Sequence, residues 1–146
     1  MEKNKMELAI SLGRSMAELR TFMRQYIQEK IKEAKIDITF EMLEVMSLLW
    51  KEDGINQQEI ADHILKDKSS MTYLIDNLVK RELVLRTEDE KDRRNRLILL
   101  TNEGRELKNT LQPWLEEVYS IATADLDAVD LKRAVLTLEK MIDSLR

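Results

Sequence analysis

A chain of 146 residues is long enough for one domain, or for one domain with added helices, and its 43% hydrophobic content can build a real core. Only 3 glycines and 1 proline leave little room for long irregular loops, and the lack of cysteine excludes disulfides, thiolate zinc sites and a cysteine redox sensor. A net charge of -4 argues mildly against a polyanionic partner until it is divided: residues 1–35 carry 8 basic and 5 acidic groups, residues 66–96 carry 9 and 7, and the remainder 7 and 16, so two basic regions are masked by acid elsewhere.

The opening stretch MEKNKMELAI has no long apolar core, and no apolar run approaches membrane-spanning length, so neither a secretory leader nor a transmembrane segment is expected and the setting reads as cytoplasmic. Residues 5–34 predict one long helix. Leu8, Leu12, Met16, Leu19, Met23, Ile27 and Ile31 recur at spacings of three and four and form one apolar stripe. A helix of this length cannot bury its stripe alone. Packing within the chain would serve, but its extent and its place ahead of the compact part favour a surface shared with a second copy. Asp37 and Thr39 are candidate caps for a second helix over 39–52, with Met42, Val45, Met46 and Leu49 on its apolar face and Asp53-Gly54 as its stop.

Asn56 then predicts a helix start, with Glu59 as its capping-box partner and Ile55 and Ile60 placed for a hydrophobic staple. The short helix 57–64, a polar joint at 65–67 and a further helix over 68–81 have the outline of a helix-turn-helix. Met71, Leu74, Ile75 and Leu78 mark the buried side of the last helix. Lys68, Ser69, Ser70, Thr72, Tyr73, Asp76, Asn77 and Lys80 project from the other. Such a set usually means a solvated face; directly behind a capped short helix, its hydroxyls, amide and amines suit base edges and phosphates in a major groove.

Leu83–Arg86 predicts a strand, Thr87–Asn95 a charged tip, and Arg96–Leu100 the returning strand. The tip holds Asp92, Arg93 and Arg94, and Arg96 follows. Taken alone, three arginines in four residues fit an ordinary solvated turn as well as a groove-reaching tip. Behind a helix-turn-helix they make a winged helix, whose arginines would lie over the minor groove or its flanking phosphates. Thr101 is a cap for a helix over 102–124, with a kink or break expected near 109–112 from Pro113. A last helix over 128–145 begins near Asp127 and carries Leu131, Val135, Leu138, Ile142 and Leu145.

The spacing Asp92-x-Arg94-x-x-x-Ile98-x-Leu100-Thr101, then Glu103-Gly104, resembles the wing signature of MarR-type transcriptional regulators. Gln58-Glu59-Ile60-Ala61 through Ser69-Ser70-Met71-Thr72 to Leu78-Val79-Lys80-Arg81 is similar to that family's helix-turn-helix. The motifs cover about residues 35–105, and the flanks follow by helix order. The resemblance implies a homodimer with intertwined terminal helices, a recognition helix at 68–81 in the major groove of a pseudopalindromic operator, and Arg94 in the minor groove. It also implies an aspartate at Asp92 that positions the wing arginines by ion pairing. Members usually repress nearby genes, and many leave DNA on binding small, often aromatic, anions between the dimerisation helices and the DNA-binding lobe. Two positions depart from the family: Glu82 and Leu65 stand where Gly is common, which puts strain or a different shape at those turns.

The expected architecture is therefore mainly α with a small β-hairpin: a dimerisation helix over 1–36, a winged helix-turn-helix over 37–101, and dimerisation helices over 102–146, one intertwined domain. DNA-binding candidates are Lys68, Ser69, Ser70, Thr72, Tyr73, Asn77, Arg93, Arg94 and Arg96, with Asp92 organising the wing. Catalysis is not expected, because His63 is the only histidine and has no Ser or Cys partner in a recognisable arrangement. Glu88-Asp89-Glu90 reads as a solvated acidic strip, and neither zinc spacing nor a phosphate-cradling loop occurs, so no metal or cofactor is expected. Met16, Met23, Met42 and Met46 read as core before they read as a ligand pocket. The rival to a DNA-binding regulator is a winged-helix protein-interaction module, which the acidic net charge favours and the local arginines oppose.

Overall fold

The opening stripe becomes α1 (Lys5–Glu33), whose N-terminus is closed by a reciprocal box between Asn4 and Glu7. The structure, a computed structural model, describes residues 2–64 and 66–146; Leu65 lies outside the described residues. The remaining elements are α2 (Phe40–Lys51), β1 (Ile55–Asn56), α3 (Gln57–Ile64), α4 (Lys68–Lys80), β2 (Val84–Glu88), β3 (Arg96–Leu100), α5 (Asn102–Ala122) and α6 (Ala128–Asp143). The mainly helical winged-helix architecture expected from the sequence is the one observed.

The core centres on α2, where Met42, Leu43, Val45, Met46 and Leu49 are buried. Ile60 of α3, Met71, Ile75 and Leu78 of α4, Ile98 of β3 and Leu111 of α5 close around it. Thr39 caps α2 by accepting from the Met42 N–H. Asp37, the other candidate cap, is instead drawn to Arg81, 44 residues on.

The sheet is antiparallel in the order β1-β3-β2. Its third strand, β1, was not expected: Ile55 and Asn56 pair with Ile98 and Leu97. That pairing also alters the predicted cap. The Asn56 side chain accepts from the Gln58 N–H at 2.6 Å, so the bond lands one residue short of Glu59 and the reciprocal box does not form. A residue already in register with Leu97 enters the helix straight from a strand. β2 reaches Glu88, two residues beyond the predicted strand.

Two helices end on residues in the left-handed region. Lys35 has φ 55° and Glu82 φ 57°. At each, paired backbone bonds close a Schellman motif: Ile36 to Ile31 and Lys35 to Lys32 after α1, Leu83 to Leu78 and Glu82 to Val79 after α4. Glu82 thus takes the conformation a glycine would take, at the steric cost an L residue meets there.

α5 begins at Thr101, whose hydroxyl accepts from the Gly104 N–H and donates to the Glu82 carbonyl. A Cβ on Gly104 would lie 2.1 Å from the Leu83 carbonyl oxygen, so the helix start and the β2 entry touch backbone to backbone. The Gly104 carbonyl also accepts from the Trp50 indole N–H. Of the kink or break expected near 109–112, the break does not occur; α5 runs through Pro113. Asn109 and Pro113 both lie on the exposed face, so the carbonyl that loses its partner can turn to water.

The terminal helices are unevenly covered. α1 buries Ile27 and Ile31, while Leu8, Leu19 and Phe22 are more than half exposed. No residue of α6 is buried, and Val129, Val135 and Ile142 stand open. The four methionines divide as well: Met42 and Met46 are core, Met23 is half-buried and Met16 is exposed. No helix among the described residues is long and apolar enough to cross a membrane.

Candidate nucleic-acid interface

α4 is anchored at both ends, which fixes how its outer face is presented. At its start, Asp67 accepts from the Ser70 N–H at 2.7 Å and from the Ser69 hydroxyl at 2.9 Å. These bonds hold the Asp67 carboxyl below the usual carboxylate range, led by the Ser70 backbone contact. At its end, Arg81 donates to the Asp37 backbone carbonyl at 2.6 Å and pairs with the Asp37 carboxylate at 3.3 Å. The same guanidinium reaches the Asn77 carbonyl and the Asn77 side-chain oxygen.

The candidates on α4 fall on two flanks. Lys68, Thr72 and Asp76 face the wing across an open groove of about 610 Å³, into which Arg94 and Arg96 also open. Ser69, Ser70, Tyr73 and Asn77 border a second recess of about 580 Å³ on the α2 side, with Lys66 and Arg81. Tyr73 is strongly exposed. Asn77 is half-buried, and its amide donates to the Tyr73 carbonyl, so part of its hydrogen-bonding capacity is used within the helix.

The wing tip is a tight, self-bonded turn. Asp89 N–H donates to the Asn95 carbonyl, Asp92 N–H to the Asp89 carbonyl and Asn95 N–H to the Asp92 carbonyl. The Asp92 carboxylate accepts from the Arg94 N–H at 3.0 Å and lies 3.5 Å from its Nε. The Arg94 side chain is otherwise 94% exposed. One carboxylate therefore sets both the backbone at the tip and the root of the guanidinium. Arg93 is exposed beside it, and Arg96 leaves the tip opposite Glu88. The Asp89 side chain binds the Lys91 N–H. Among the described residues no group of three or more His, Cys, Asp or Glu could hold a metal.

Two residues of this groove escaped sequence reasoning. Arg86 of β2 donates to the Gln57 side-chain oxygen at 3.2 Å, contacts the Thr72 carbonyl at 3.4 Å and forms an ion pair with Asp76. Gln57 in turn donates to the Thr72 hydroxyl at 3.0 Å. The network joins the wing, the first residue of α3 and the wing-side flank of α4. Strand alternation held a signal for Arg86: it stands opposite buried Ile98, as Val84 stands opposite Leu100, so it points inward. Gln57 offered no such signal, because its partners lie 15 and 29 residues away.

Residues 38–95 match the family model described as "MarR family". Over 75 residues the chain is 31% identical to the HTH-type transcriptional regulator SarZ of Staphylococcus aureus, a match covering 51% of each protein. The match thus spans about half the length of the curated relatives. Among solved structures, a MarR transcriptional regulator from Methanosarcina mazei Go1 is 28% identical with a TM-score of 0.78, covering 91% of this chain and 94% of that one. S. aureus MepR in its DNA-binding conformation shares the fold at 24% identity and a TM-score of 0.84, over 92% and 98% of the two chains.

Proposed function

We propose that the chain is a member of the MarR family and, on that premise, a sequence-specific DNA-binding transcriptional regulator, a homodimeric repressor working in the cytoplasm. The observation that carries this reading is the groove itself. The wing-side flank of α4 (Lys68, Thr72 and Asp76) opens on one concave surface with Arg94 and Arg96, and Asp92 holds the wing turn that presents Arg94. Apart from its contact with Asp92, the Arg94 side chain stands open to solvent, so holding the fold together does not account for it.

In this reading α4 enters the major groove, with Lys68, Ser69, Ser70, Thr72, Tyr73 and Asn77 along its exposed flanks. Arg94 reaches the minor groove, and Arg93 and Arg96 serve flanking phosphates. Local charge decides the contact, so a net of -4 spread over the whole chain does not oppose it. The open apolar faces of α1 and α6 are covered by a second copy, which sets two α4 helices about 34–36 Å apart on one side of a pseudopalindrome. A small aromatic or anionic effector releases the dimer, in keeping with the family, by binding more tightly to a lobe spacing that DNA does not fit. Catalysis has no part in this function; His63 is an exposed residue on the last turn of α3.

Titration of fluorescent duplex DNA at rising salt tests the reading. Binding whose log affinity falls linearly with log salt is expected. A protein that binds no duplex at low salt would instead be the winged-helix interaction module.

A further inference from the structure

The wing-side flank of α4 contains a side chain whose polar capacity is already committed. The Thr72 hydroxyl donates to the Lys68 carbonyl at 3.0 Å and accepts from the Gln57 amide, also at 3.0 Å. Its proton is used, and so is one of its two acceptor sites. The Gln57 amide is held in turn by Arg86 Nε, and Arg86 is fixed by Asp76. Thr72 is nonetheless exposed and borders the groove between α4 and the wing. What these two bonds leave uncommitted is one acceptor site, which cannot pair with an acceptor such as O4, and the γ-methyl.

We propose that Thr72 reads DNA through this methyl and recognises the C5-methyl of a thymine, with Gln57 and Arg86 as positioning residues that lock its rotamer. The inference rests on the DNA-reading function proposed above and names one of its specificity contacts. In the major groove a thymine is marked by its O4 acceptor and its C5-methyl. A threonine whose proton is held by Lys68 cannot donate to O4 without breaking a helix-internal bond. Methyl-to-methyl contact requires no such break, and a side chain held by two hydrogen bonds loses little further freedom on binding.

The test uses the full-length protein and an operator obtained by selection from random DNA. Each thymine is replaced in turn by deoxyuridine, which removes only the methyl. At one thymine per half-site the wild type should bind about fourfold more weakly after replacement, the effect of burying one methyl group. Thr72→Ser, which keeps the hydroxyl and loses the methyl, should bind both operators equally. Thr72→Val, which keeps the methyl and loses the hydroxyl, should retain the discrimination. Gln57→Ala, which releases the Thr72 rotamer, should narrow it. Discrimination that survives in Thr72→Ser, or vanishes in Thr72→Val, would overturn the inference and leave the regulator reading standing. A protein that selects no consensus at all would remove the regulator reading, and this contact with it.

Discussion

Replacing Arg94 by Ala separates a wing that contacts DNA from a wing that merely decorates the surface. The side chain is 94% exposed, and its one recorded partner is Asp92 at 3.5 Å from Nε. Its loss should therefore change folding stability by no more than about 0.5 kcal/mol, the usual range for a surface substitution. DNA binding should respond quite differently. A lost charged contact of about 1.5 kcal/mol weakens binding roughly tenfold at low salt. One fewer neutralised phosphate also lowers the slope of log affinity against log salt by about 0.9, so over a fourfold rise in salt the wild type loses about 3.5-fold more affinity than the variant. Fluorescence anisotropy at several salt concentrations, on operator and unrelated duplexes, reads both effects. The loss should be similar on the two duplexes. An unchanged salt slope with unchanged melting temperature would remove the wing from the mechanism.

Gly104→Ala forces a Cβ against the Leu83 carbonyl; overpacking of about 1–3 kcal/mol exceeds the helix-propensity gain of about 1 kcal/mol, so thermal melting should fall by several degrees, and a rise would refute the backbone contact. Glu82→Gly should stabilise the protein by roughly 0.5–1 kcal/mol, because relief of the left-handed strain outweighs the added freedom of the unfolded chain; urea denaturation with a lower midpoint would contradict this. Acid should loosen the start of α4. The Asp67 pKa is depressed in the folded chain, so its capping contribution is complete above the unfolded value of about 4 and fades as pH falls through the lower folded value. An NMR titration placing the Asp67 midpoint at or above the ordinary carboxylate value would rule this out. Val135→Asp on α6 should yield monomers in sedimentation experiments, and a stable dimer would mean this face is not the one a second copy covers.

What the sequence made legible is local. Apolar spacing placed the helices within a few residues, and Thr39 and Thr101 declared the starts of α2 and α5 because a cap and its N–H lie three residues apart. The hairpin was visible because a charged tip separates two β-prone runs. The misses share a long reach. β1 is two residues long and exists only through pairing with β3, some 40 positions away, and that pairing also displaced the expected Asn56–Glu59 box. Asp37 has the chemistry of a cap, but Arg81 takes both its carboxylate and its carbonyl. Glu82 was readable as a departure from glycine, while its outcome depended on Thr101 and Leu83 closing the turn around it. In the groove, the single list of polar residues on α4 conceals two flanks, and only the fold reveals that Gln57 and Arg86 already occupy Thr72.

The central claim is that two copies of α4, held by the terminal helices, read a two-fold DNA site. Selection of bound sequences from random duplex DNA at fixed salt, with purified protein, tests it most directly. The account predicts an enriched inverted repeat whose half-site centres lie about 10–10.5 base pairs apart, one helical turn. Recovery of sequences with no common motif would contradict it.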